Sequence, residues 1–79
     1  MYAMGKAIRW VRDLNGIEQA ALAEKVGIHP SLLCHIERGR RKCQPDLLNR
    51  LAEAMGVPSA DIETIERRIT NEIRTGVAN

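Results

Sequence analysis

The chain has no phenylalanine, and Trp10 and Tyr2 are its only aromatic residues. A core without large rings has to be built from Leu, Ile, Val, Ala and Met, which suits short, closely packed helices better than a β-sandwich. Val and Thr are sparse and never alternate with polar residues long enough to supply many strands. Cysteine is scarce too. Cys34 and Cys43, nine residues apart, do not make a disulfide scaffold, and the expected setting is a reducing cytoplasm. No apolar run approaches the ~20 residues of a membrane span and no signal peptide is visible, so no membrane association is expected. Repeats and low-complexity tracts are also lacking.

Charge of one sign is lacking overall, since the formal net charge is only +2. Its distribution says more. Residues 1–57 carry nine basic and six acidic side chains, a net of +3, whereas residues 58–79 carry three basic and four acidic, a net of −1. Four of the basic residues, Arg38, Arg40, Arg41 and Lys42, fall within one five-residue run. That is a local positive patch on a nearly neutral body.

At 79 residues this is one domain with a terminal appendage. Gly16, Gly27, Gly39 and Gly56 each follow an apolar-periodic segment, as helix stops do. Pro30 and Pro45 suit first helical turns, where a missing N–H costs nothing. The punctuation predicts helices near 5–15, 18–26, 30–38, 45–55 and 59–75. His29 and Gln44 occupy cap positions where Ser, Thr or Asp contributes ~1 kcal/mol. The expected class is all-α, a compact five-helix bundle. Residues 1–57 would form the main domain, and 58–79 an amphipathic helix for dimerisation or core covering.

The stretches GIEQAALAEKVGI (Gly16–Ile28), IERG (Ile36–Gly39) and LLNRLAEAMGV (Leu47–Val57) resemble the Cro/repressor-type, or Xre-like, helix-turn-helix family. The resemblance spans about 50 residues, Ile8 to Val57. It is specific because several constraints coincide. Ala23 is small where two helices cross, Gly27 allows a left-handed turn, and Leu22, Val26, Ile28, Leu33 and Ile36 fill the five apolar positions of the bihelical unit. The resemblance implies a lambda-repressor-like domain with the helix-turn-helix at helices two and three. The third helix then lies in the DNA major groove.

Carried over residue by residue, the resemblance implies base-facing positions at His29, Pro30, Ser31, Cys34 and His35. Helical geometry gives much the same stripe independently. With Leu33 and Ile36 inward, positions 30, 31, 34, 35 and 38 lie opposite. The resemblance further implies that Gln19 grips phosphate, that Arg12 and Glu37 form a partly buried ion pair with an edge of Arg12 toward the backbone, and that Arg38, Arg40 and Lys42 meet or adjoin phosphates, with Arg41 in the same run. Departures from the family pattern are Glu18 for a Ser or Thr cap, Cys43 for a frequent Pro, and Pro45 for an apolar residue. The stripe also lacks Lys, Gln and Asn, which make bidentate base contacts. Affinity is therefore expected mainly from phosphates. Discrimination is expected from Ser31, His35, apolar contacts by Pro30 and Leu32, and DNA shape.

No nucleophile–base pair, paired carboxylates or phosphate-cradling glycine loop stands out, so an enzyme is not expected. His29, Cys34, His35 and Cys43 match no recognised zinc spacing, and the adjacent Cys34 and His35 diverge by about 100° on a helix. No metal or cofactor is expected. In the tail, Ile62, Ile65, Ile69 and Ile73 recur at helical spacing. Trp10 and Leu14 lie on the first helix outside its Ile8/Val11 face, and the tail helix is expected to cover them, within one subunit or across a dimer. The expected function is a transcriptional regulator, repressing through a homodimer on an inverted-repeat operator of double-stranded DNA. The alternative is an antitoxin or antirepressor-like module binding a protein through Leu32/Cys34 or the isoleucine stripe.

Overall fold

The computed structural model describes residues 2–75, with side chains through Glu72. Five helices follow in order: α1 (Ala3–Leu14), α2 (Gln19–Val26), α3 (Pro30–Glu37), α4 (Pro45–Met55) and α5 (Ser59–Thr75). Gly27 and Gly56 end α2 and α4 in the left-handed region, at φ 77° and 75°. Pro30 and Pro45 open α3 and α4. His29 does cap α3: its Nδ1 accepts the Ser31 amide at 3.1 Å, satisfying one of the free donors of the first turn. Gln44 makes no side-chain cap bond.

The core is aliphatic. Ile8, Leu22, Leu33, Ile36, Leu51 and Ile62 are its largest fully buried side chains. Ala23, also fully buried, lets α2 approach its neighbours closely. α1 packs chiefly on α5 and then on α3, while α2 packs on both α3 and α4. Ile62 and Ile69 complete this core from α5, so they cover it rather than offer a surface. Ile65 is half-buried, and the side chain of Ile73 lies outside the described residues. Trp10 and Leu14 remain exposed, so no described part of the tail covers them.

α1 starts two residues before the expected point. Gly5 does not open the helix but sits inside its first turn, because α1 crosses α3 there. A Cβ on Gly5 would lie 1.7 Å from the Ile36 carbonyl oxygen. Only a residue without a side chain admits that approach.

α2 and α4 also cap each other. Arg50 on α4 donates to the Val26 carbonyl at the end of α2, and Lys25 on α2 donates to the Ala54 carbonyl at the end of α4, at 3.2 Å. Each cation meets carbonyls that have no partner within their own helix, at the negative end of the helix dipole.

Candidate nucleic-acid interface

α3 divides cleanly by face. Leu33 and Ile36 are buried, whereas His29, Pro30, Ser31 and His35 are exposed and Cys34 is half-buried. The expected stripe is therefore one continuous surface, with Cys34 its most recessed member and Leu32, half-buried, at its edge. Because His29 uses Nδ1 as the cap acceptor, its hydrogen lies on Nε2, which is left to donate outward.

The basic run begins where α3 stops. The Arg40 amide reaches back to the His35 carbonyl at 2.9 Å and the Gly39 amide to the Ile36 carbonyl at 3.0 Å, with Gly39 left-handed at φ 77°. This closes the carbonyl end of α3. The Tyr2 amide donates to the Gly39 carbonyl at 3.1 Å, tying the start of the chain to the same turn. Arg38, Arg40, Arg41 and Lys42 are all exposed, and none makes an ion pair with a described residue. The turn thus presents four uncompensated charges beside the outward stripe.

Behind the stripe lies a buried polar cluster. Arg12 donates through Nε to Glu37 Oε2 at 2.7 Å, through Nη2 to Glu37 Oε1 at 2.9 Å, and through Nη1 to the Ile17 carbonyl at 2.8 Å. Gln19 donates through Nε2 to the same Glu37 Oε1 at 3.0 Å. Arg12 is 9% exposed and Glu37 7%. The Glu37 hydrogen bonds raise the Arg12 pKa above its ordinary value, against the opposing effect of burial. One carboxylate thus joins α1, the start of α2 and the end of α3. Arg12 acts first as that clamp, leaving only a thin edge exposed, and Gln19 is half-buried at the first position of α2.

The cysteines form no site with the histidines. Cys34 and Cys43 are both free thiols, and burial pushes the Cys43 thiol up to about 11, which keeps it protonated. Among the described residues no cluster of three or more His, Cys, Asp or Glu is arranged to hold a metal ion, and no helix is long and apolar enough to cross a membrane.

The reciprocal Arg50 and Lys25 caps, the Gly5 crossing and the Tyr2 anchor all position this surface, and none was expected from the sequence. Only Gly5 carried a signal: a lone glycine among helix-forming residues marks a close approach.

The helix-turn-helix domain family matches residues 3–65. Among solved structures, the clp gene regulator ClgR from Corynebacterium glutamicum is similar at 32% identity, with a TM-score of 0.81 over 84% of this chain and 86% of that one. A second structure of the same regulator gives 28% identity and a TM-score of 0.87 over 98% and 84%. The restriction-modification controller protein C.AhdI from Aeromonas hydrophila gives 26% and 0.73 over 77% and 92%. A comparison with curated proteins returned no match. The bihelical unit, its exposed α3 stripe and these likenesses agree: the chain belongs to the helix-turn-helix domain family and is a non-enzymatic, DNA-binding transcription regulator of the Xre type.

Proposed function

We propose that this regulator represses transcription in the cytoplasm by occupying an inverted-repeat operator as a homodimer, one α3 in each of two successive major grooves. The observation that carries the reading is the exposed His29–Ser31 and His35 stripe followed by four exposed cations that make no ion pair among the described residues. Arg38, Arg40, Arg41 and Lys42 meet phosphates on one flank. Gln19, at the positive start of α2, and the exposed edge of Arg12 meet them on the other. His29, Pro30, Ser31, Cys34 and His35 face base edges. Ser31 and His35 hydrogen-bond there, and Pro30 packs on thymine methyls. The similarity to a clp gene regulator and to a restriction-modification controller supports control of gene expression as the output.

A twofold dimer answers the weakness of one such stripe. With no Lys, Gln or Asn to make bidentate base contacts, a single α3 discriminates modestly, and doubling it over half-sites about 34 Å apart restores specificity. Selection from a random duplex pool, followed by salt titration, tests the reading. The expected product is a palindrome. Arg40→Ala and Arg41→Ala each weaken all duplexes alike and reduce the salt slope by about one. His35→Ala lowers discrimination instead. Equal loss of discrimination from both classes would sink the assignment of roles.

A further inference from the structure

The outer face of α1 exposes large apolar side chains among Lys6, Arg9 and Asp13, and no described part of the chain covers them. Trp10 is 54% exposed, Leu14 71% and Tyr2 47%. They line a groove of about 640 Å³ that runs between α1, the turn after α3 and Ile69 of α5. That is room for several large side chains. A half-exposed single tryptophan beside such a groove marks a candidate binding surface.

We propose that a second copy of this chain covers the groove, α1 lying antiparallel on α1 across a twofold axis near Trp10. This deepens the dimer reading above and rests on it. The charges along α1 decide the orientation. Lys6 and Arg9 precede Trp10, and Asp13 follows it. In an antiparallel pair centred on Trp10, a residue four positions before the centre meets one four positions after it. Lys6 then lies over the partner's Leu14 and beside the partner's Asp13. A parallel pair would set Lys6 on Lys6 and align the two helix dipoles unfavourably.

Asp13 is suited to the contact. It stands 3.7 Å from Arg9 and 3.5 Å from Arg12, both longer than a good hydrogen bond, and its side chain is 59% exposed. The Lys6 side chain makes no hydrogen bond or ion pair with a described residue. Ile69, otherwise part of the core, closes the floor of the groove. The groove ends at Arg38, so the pairing abuts the phosphate-facing turn.

The expected dimer is weak, dissociating at roughly micromolar concentration, and operator DNA draws it together. Sedimentation of the full chain over about 1–100 µM, read together with Trp10 emission, tests the pairing. The expected result is a monomer–dimer equilibrium in which the emission shifts to the blue as dimer forms. Leu14→Asp and Trp10→Ala, both at exposed positions, keep the melting temperature and weaken the dimer by tenfold or more. Asp13→Lys weakens it, and adding Lys6→Glu in the same chain restores it. A dimer untouched by Leu14→Asp overturns the pairing and leaves the dimer standing. A chain that stays monomeric throughout overturns both. A monomer whose Trp10 emission shifts only with a glutamate-rich amphipathic peptide makes the occupant an acidic partner and overturns the self-pairing.

Discussion

Replacing Gly5 with alanine sets two effects of opposite sign against each other. In an open helix the change stabilises by up to ~1 kcal/mol, because alanine loses less backbone entropy on folding. Here the added Cβ would stand 1.7 Å from the Ile36 carbonyl oxygen and 2.7 Å from its carbon. Those are backbone atoms of α3, so no rotamer change relieves the clash. α1 must retreat by roughly 1.5 Å to restore ordinary contact. Overpacking of this kind costs about 1–3 kcal/mol, and the upper end applies where backbone meets backbone. The retreat also stretches the 2.7 and 2.9 Å hydrogen bonds between Arg12 on α1 and Glu37 on α3, adding about 1–2 kcal/mol. The clash wins, with a net loss of about 2–4 kcal/mol. For a domain of this size that lowers the melting temperature by roughly 10–25 °C. Urea and thermal unfolding followed by circular dichroism measure it. An alanine variant as stable as the parent, or more so, would show that α1 and α3 do not cross at this point.

Three further outcomes follow from the buried and capping groups. Glu37→Gln leaves the Arg12 guanidinium buried without its counter-charge, and the expected loss is about 2–4 kcal/mol in urea unfolding. Gln19 loses its charged acceptor in the same variant, so phosphate affinity drops as well. The Cys43 thiol titrates near 11 when folded, above its ordinary value, so the unfolded chain gives up this proton first as pH rises. Its contribution is fully present below about pH 9 and is lost toward pH 11, with a slope of about 1.4 kcal/mol per pH unit that Cys43→Ala removes. Arg50→Ala exposes the end of α2 and costs about 1 kcal/mol, whereas Lys25→Ala, whose bond to Ala54 is exposed, costs under ~0.5 kcal/mol; equal effects would contradict the unequal burial of the two caps.

The elements that could be read from the sequence are those set by local chemistry. Gly27, Gly39 and Gly56 stop helices because the chain turns left-handed there, and such turns favour glycine whatever lies around them. Leu22, Val26, Leu33 and Ile36 mark inward helix faces through spacing, and the family resemblance joins them into a bihelical unit. Burial by period is less informative about the neighbour. The isoleucine stripe of α5 correctly marks an apolar face, yet Ile62 and Ile69 fill the core of their own chain. Period says that a face is covered, not by what. The long-range bonds left no trace. Arg50 and Val26 are 24 residues apart, and Lys25 and Ala54 are 29 apart. Those contacts exist only once α2 and α4 are set side by side, which no local pattern specifies. The Arg12–Glu37 pair, 25 residues apart, was legible only through the family resemblance.

α1 has two jobs on two faces, and that links them. Arg12 follows Trp10 by two residues, or about 200° of helix, so the two side chains leave α1 on opposite sides, with Glu37 of the clamp also bordering the groove. On the inner side, Gly5 and Arg12, nearly two turns apart on α1, both engage the end of α3, at the adjacent Ile36 and Glu37, with no compliant loop between. A twofold axis placed at Trp10 therefore fixes the separation of the two reading helices through rigid contacts alone. Half-site spacing becomes a property of α1 rather than of the reading stripe. Trp10→Ala then binds single half-sites as the parent does, but loses its preference for one spacing between them. The measurement is affinity across a set of duplexes whose half-sites are separated by successive single base pairs. A spacing optimum that survives in the variant would place the axis elsewhere on the molecule.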